Sequence, residues 1–309
     1  MAAQGKCRLC EQDSDLQESH IIPKFVYTYL KDTSPTKKIR EANNVNLRKQ
    51  DGIKLHWLCK ACELKFSSWE KYFSENIFHP LQNGQNPVSY NDNFLKFCVS
   101  ISWRVLKYIL EKKYISDFSD EIQIKIQNAL SEWKKFLLNQ SANPGIHEQH
   151  FYNLSGTIEN STHPTSSNIH RYLQRSVAID VVNWGPKVVI VYAKFPGLIL
   201  TGFINVENRN DFRDTKVHVK NGVLNHRKIS FPQQLWDYLN AKAEVTKKIK
   251  QEMSQKQKEK INADYRKLPI DEIITSGTFQ ALQKDIELYG IEEVFNTNTD
   301  DNSSEPKID

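Results

Sequence analysis

The chain carries two cysteine pairs at the same spacing, Cys7-Arg8-Leu9-Cys10 and Cys59-Lys60-Ala61-Cys62, separated by residues 11–58. A two-residue spacer lets both sulfurs of a pair reach one tetrahedral ion, and soft thiolates suit Zn²⁺. Any fold that uses both pairs on one ion must bring residue 7 to residue 62. Two other readings compete. Disulfides are disfavoured by a reducing compartment, and a thioredoxin-type redox pair needs a βαβ pattern that surrounds neither pair. The spacing points to a structural zinc site on Cys7, Cys10, Cys59 and Cys62. The fifth cysteine, Cys98, lies in an apolar helical pattern and reads as a small buried hydrophobe.

The compartment follows from what is missing in the pattern. The opening residues MAAQGKCRLC have no long apolar core, and no window holds the roughly twenty uninterrupted apolar residues of a membrane span. A cytoplasmic protein with no membrane partner is expected. With 309 residues, 39 % of them apolar and 11 % aromatic, the chain has material for more than one buried core.

Periodicity divides it further. Residues 1–90 hold the cysteine module, in which Glu63 to Phe78 reads as an amphipathic helix burying Phe66, Trp69, Phe73 and Ile77. Residues 91–145 read as a helical brace. A largely buried helix runs from Phe94 to Leu110, and a second carries Ile122, Ile126, Ala129, Leu130, Trp133 and Leu137 on one face. Residues 146–233 change to a period of two, with strands at Ser176–Val182, Lys187–Lys194 and Leu198–Val206 and corners at Asn183–Pro186 and Phe195–Gly197. Asn221-Gly222, flanked by Val217-x-Val219 and Val223-Leu224, predicts a hairpin. Residues 234–295 return to a helical pattern, and 296–309 form an acidic tail expected to be disordered.

Charge is unevenly spread. The net charge is +5, yet residues 291–309 hold six acids and one lysine, so the preceding body is near +10. That balance suits a polyanion. Lys242–Lys267 is the most basic run and reads either as a solvated helix face or as a phosphate contact. Lys37, Lys38, Arg40, Arg48 and Lys49 carry the same two readings in the stretch between hairpin and helix.

The order of cysteine pair, Ser19-His20-Ile21-Ile22-Pro23, cysteine pair and helix resembles the HNH (ββα-metal) endonuclease family in its zinc-stapled form. Residues 1–140 are similar to bacterial HNH-like proteins with the strings Ser19-His20-Ile21-Ile22-Pro23-Lys24-Phe25, Leu58-Cys59-x-x-Cys62-Glu63-x-x-Phe66-Ser67 and Glu70-x-Tyr72-Phe73-x-Glu75-Asn76-Ile77-Phe78. The resemblance implies an N-terminal zinc-bound ββα domain; together with the periodicities above, the expectation is an α+β chain with a helical brace and a C-terminal antiparallel β-rich domain with terminal helices. It also implies a metal-dependent endonuclease that hydrolyses phosphodiester bonds of nucleic acid, DNA foremost, in bacterial anti-phage defence. Catalytic Mg²⁺ or Mn²⁺ would accompany the structural Zn²⁺.

His20 aligns with the family's general base and Glu63 with its final metal ligand. The family places Asp or His where this chain has Ser19, and His or Asn where it has Glu63. The Asn that normally precedes the second cysteine pair is missing from Asp51–His56, which leaves Asn43, Asn44, Asn46, Asp51 and His56 as candidate contributors. For His20 the competing reading is a hydrogen bond within a hairpin. Glu70, two helical turns beyond Glu63, reads as a surface or ion-pairing carboxylate. A second class keeps the zinc fold without catalysis, as a nucleic-acid- or protein-binding adaptor subunit of a larger complex. The β-rich region has no ligand cluster or nucleophile arrangement and is expected to recognise a protein partner or regulate activity.

Overall fold

The computed structural model describes residues 3–41, 44–115, 118–156, 165–225 and 231–295. Asn43 and the acidic tail 296–309, both given expectations above, lie outside the described residues. The class is α+β with antiparallel sheets, as expected.

Strands β1 (Ala3–Lys6) and β2 (Asp13–His20) flank the first cysteine pair. Helix α1 (Lys24–Asp32) and a small hairpin, β3 (Ile39–Glu41) with β4 (Asn44–Lys49), follow before β5 (Lys54–Cys59) returns to pair with β2. The sheet order is β1-β2-β5, all antiparallel. Helix α2 (Lys60–Phe73) leaves β5 without a loop, so the second cysteine pair spans a strand–helix junction. Its buried stripe is Cys62, Phe66, Trp69 and Phe73, at the three- and four-residue spacing of one helix face. A π-helical turn, Ser74–Phe78, then widens the helix so that the consecutive residues Ile77 and Phe78 are both buried. Pro80 does not break the path. It lies in the first turn of the short helix α3 (His79–Gln82), which follows the π-helical turn directly.

Strand β6 (Val88–Tyr90) leads into α4 (Asp92–Glu111), whose N-terminus is capped by Asn91 Oδ1 accepting from the Asn93 amide at 3.0 Å. Helix α4 is buried on nearly every side because it serves two layers. On one side it meets α2, where the Phe73 and Phe97 rings stack 3.9 Å apart and Trp103 packs edge-on to Trp57 and Phe66. Helix α5 (Asp120–Leu137) covers it next, through the predicted stripe.

On its other side α4 lies across a four-stranded sheet. The strands are β7 (Gln149–Asn153), then, after helix α6 (Ile169–Arg175), β8 (Ala178–Asn183), β9 (Val188–Phe195) and β10 (Leu198–Val206), in the order β7-β10-β9-β8. Gly202 makes the close approach possible: a Cβ there would sit 2.4 Å from Ser102 Oγ of α4. The brace is therefore also the core of the second layer. Strand β9 alternates as a strand should. Val189, Val191, Ala193 and Phe195 join the cluster around α4, while Ile190 and Tyr192 join the opposite cluster.

The predicted hairpin at Asn221-Gly222 does not form. Strand β11 (Gly222–Leu224) pairs with β6, and Val217 instead donates to the Gln149 carbonyl at the edge of β7. Gly222 serves close approach, since a Cβ would fall 2.3 Å from Tyr90 Oη. Helices α7 (Gln233–Gln251), α8 (Gln255–Tyr265), α9 (Ile270–Ile274), α10 (Gly277–Tyr289) and α11 (Ile291–Phe295) complete the chain. Leu235 and Leu239 of α7 pack with α6 on the second sheet face, and buried Asp285 of α10 accepts from the His170 amide and Arg171 Nε of α6. Among the described residues no helix is long and apolar enough to cross a membrane.

Glu148, just before β7, anchors the sheet edge. His150 Nε2 lies 3.4 Å from it, Arg209 Nη1 2.9 Å and Lys216 Nζ 2.8 Å. His150 foremost, against the opposing effect of burial, and then Lys216 and Arg209 hold its carboxyl at about 2, below the ordinary 4.5. A depressed folded pKa stabilises fully above the unfolded value and is lost as pH falls through the window between the two. In urea unfolding, the gap between wild type and Glu148→Gln should therefore narrow steadily as pH drops from about 5 to about 3.

Candidate metal centre and adjoining polar site

Cys7 and Cys10 lie in a tight turn after β1, closed by the Cys7 amide on the Gln12 carbonyl and the Glu11 amide on the Cys7 carbonyl, both at 2.9 Å. Cys59 ends β5 and Cys62 stands in the first turn of α2. All four Sγ atoms lie within 4.8 Å of one another, with Cys10 and Cys59 at 3.7 Å. A tetrahedral ion at a Zn–S distance of about 2.3 Å sets its sulfurs about 3.8 Å apart. The dimensions fit.

The electrostatics fit as well. Burial pushes the Cys7 thiol up, but the Cys59, Cys10 and Leu9 amides outweigh it and bring it to about 7; the Cys59 N–H lies 3.3 Å from the sulfur. Cys10 and Cys62 move up, through burial first and neighbouring sulfurs second. Sulfurs packed this closely resist ionising together, so a thiolate cluster here calls for a cation. None of the five cysteines is in a disulfide, and Cys98 is fully buried.

His20 ends β2, at the opposite end of the strand from the Leu16–Cys59 pairing that adjoins this cluster. The β2–β5 register shifts between Gln17 and Glu18, leaving Trp57 as the extra residue, and such bulges re-aim the side chains that follow. Past the bulge, Ser19 Oγ donates to Glu63 Oε2 at 2.5 Å, and His20 Nε2 lies 2.8 Å from Asp51 Oδ2. An ionised carboxylate can only accept, so Nε2 carries a proton, which in the neutral ring leaves the lone pair on Nδ1. Burial pushes the Asp51 carboxyl up, but hydrogen bonds from His20 and the Gly52 amide outweigh it and hold it below the ordinary range. The Asp51 turn is pinned by Tyr27, whose ring would lie 2.3 Å from any Cβ at Gly52.

Behind His20 lies Arg104 of α4, only 2 % exposed. Its Nη1 donates to Glu70 Oε1 at 2.6 Å and to the His20 carbonyl at 2.7 Å, while the guanidinium sits 5.1 Å from the Phe66 ring centre. Glu70 is thus an ion-pairing carboxylate. Burial raises its carboxyl, with Arg104 opposing and Glu63 adding to the rise. A cleft of about 420 Å³ opens beside Glu70 between α1 and α2, lined by Lys24, Thr28, Ser67, Lys71 and Glu75 among others.

Of the candidates, Asp51 reaches His20 and Glu63 reaches Ser19. Asn44 and Asn46 bond within the β3–β4 hairpin and to the Ser254 amide, and exposed His56 meets the Leu16 carbonyl at 3.3 Å. Among the described residues, the four cysteines form the one group of three or more His, Cys, Asp or Glu with converging ligand atoms. Among the described residues, no hard-ligand cage for Mg²⁺ or Mn²⁺ is assembled around Glu63. The basic residues 37–49 lie between the two strands β2 and β5, rather than between hairpin and helix. Arg104 was the missed residue. An arginine amid Val99, Ile101, Trp103, Val105 and Leu106 requires buried acceptors, and that requirement was readable.

Purified protein should carry about one zinc per chain, and Cys59→Ser should lower both zinc content by elemental analysis and the melting temperature. Arg104→Met strands Glu70 and should destabilise by about 3 kcal/mol in urea, with part of that recovered in Arg104→Met/Glu70→Gln. No family model matches the chain, and no curated protein or solved structure matches it.

Proposed function

We propose that the chain is a zinc-stapled HNH-type endonuclease that hydrolyses nucleic-acid phosphodiester bonds, with His20 as general base. The observation that carries this reading is the His20–Asp51 pair at 2.8 Å, placed at the end of the strand that pairs into the strand–helix junction. Asp51 fixes the tautomer and orientation of the ring, leaving Nδ1 to take a proton from an attacking water. As that proton arrives, the adjacent carboxylate stabilises the imidazolium. Zn²⁺ on the four cysteines is structural, since all four tetrahedral positions are taken by sulfur.

Glu63 offers one carboxylate oxygen and Ser19 one hydroxyl. This suits Mg²⁺ or Mn²⁺ only in the manner of an ion that keeps several waters and takes a phosphate oxygen from substrate. When bound, such an ion supplies charge stabilisation at the leaving 3′ oxygen. The cleft beside Glu70 gives room for a nucleotide on the same side of α2. A defence role in the bacterial cytoplasm is the setting the family resemblance suggests. The adaptor reading draws on a specific observation too: Glu63 is satisfied by Ser19 without any cation.

Plasmid and RNA cleavage with Mg²⁺, Mn²⁺ or chelator decides between them. His20→Ala should reduce cleavage by at least about 100-fold and Asp51→Asn should also reduce it, both with zinc content unchanged and with the chain still folded at the assay temperature. Tight binding of nucleic acid with no metal-dependent cleavage by wild type would establish the adaptor.

A further inference from the structure

Two basic segments distant in sequence meet in the fold. Lys38 Nζ of the chain entering β3 donates to Asp264 Oδ2 of α8 at 2.6 Å, and Arg48 Nη2 of β4 lies 3.6 Å from the same oxygen. The Asn46 side chain accepts from the Ser254 amide at 3.0 Å, so the hairpin seats on the start of α8 as well. One carboxylate thus bridges the segments and offsets only part of their charge. Residues 37–49 and 254–267 together carry ten cations against three carboxylates, a net +7 in a chain whose total is +5.

Helix α8 buries no residue. Lys256 and Lys260, one turn apart on it, are both exposed, and on the hairpin Lys49, 3.2 Å from Glu41, is exposed while Arg48 keeps 37 % of its side chain open. A helix that is polar all round and joined to its neighbour by polar contacts is shaped for something other than core packing. It offers no apolar face for a bilayer. The hairpin also continues from Lys49 through Gln50 into Asp51, the partner of His20, with Lys31 Nζ holding the Gln50 carbonyl at 3.0 Å.

We propose that the β3–β4 hairpin and α8 form one phosphate-binding face that seats a nucleic-acid backbone and leads it toward the His20–Asp51 pair. The direction of travel rests on the nuclease or adaptor reading of that pair; the face itself does not. Phosphates are neutralised here by cations from both ends of the chain, so the C-terminal helices serve binding as well as the ββα unit.

The test is fluorescence anisotropy of the full chain with labelled DNA and RNA duplexes and single strands, between about 50 and 200 mM salt. Lys256→Gln/Lys260→Gln should weaken binding at the lower salt and lower the log–log salt slope by about 1–2 on a duplex, since each lost phosphate contact releases fewer counterions. Arg48→Gln/Lys49→Gln should lower it by about 1–2, and the combined variant by the sum. Zinc content and circular dichroism of each variant should match wild type, since the replaced side chains lie at the surface. Unchanged slopes, an effect from one segment only, or binding of anionic vesicles in place of nucleic acid would overturn the proposal. Because His20→Ala leaves this surface intact, its binding should be normal, and a failure of cleavage is thereby separated from a failure of the face.

Discussion

A guanidinium in an apolar interior must find acceptors, and Arg104 finds them on two different elements. Its Nη1 reaches the Glu70 carboxylate of α2 and the backbone carbonyl of His20 at the end of β2. Leaving either acceptor unmet inside the core costs several times the worth of an ordinary surface pair. The contact therefore fixes α4, α2 and β2 in one mutual position. Everything else in the polar site is placed by consequence: Glu63 two turns earlier on the same helix, Ser19 one residue earlier on the same strand, and the His20 ring facing Asp51.

The sulfur cluster does a complementary task. It ties the turn after β1 to the β5–α2 junction, and so closes the sheet around the strand that carries His20. The two devices act from opposite sides of that strand's neighbourhood, one at its start and one at its end.

Local patterns were legible wherever they were sufficient to decide structure. The cysteine spacing, the Phe66-Trp69-Phe73 stripe, the α5 stripe and the β8–β9–β10 meander all depend on residues close in sequence. What escaped depends on partners far away. Asn221-Gly222 has the chemistry of a hairpin turn, but β11 takes β6 as its partner, and the glycine serves to admit Tyr90. Strand β7 pairs with β10, some fifty residues on, and nothing local marks that choice. Residues 37–54 read as a polar stretch and contain a hairpin whose polar side chains are met by α8. In the site, His20, Glu63 and the cysteines were readable as types; that Asp51 would be the residue to meet His20 depends on the Tyr27–Gly52 contact that positions its turn.

Ser19 carries the physical meaning of this chain's departure from the HNH pattern. It is almost wholly buried, and its hydroxyl gives Glu63 a donor at short range. An aspartate in its place would put two carboxylates in contact, with Glu70 close enough on α2 to feel Glu63 already. Like charges at that separation cannot both ionise without a cation between them, so such a site would depend on a hard metal for its local stability. With serine the pocket is electrostatically complete after folding, and a hard cation would have to compete with an existing hydrogen bond. Rigidity at the site therefore rests on Arg104 and on a cysteine cluster able to hold a soft metal, while on the proposed nuclease reading Glu63 would meet a hard ion only with substrate phosphate supplying the missing charge. On that same reading, the metal dependence of cleavage would lie on the nucleic acid as much as on the protein.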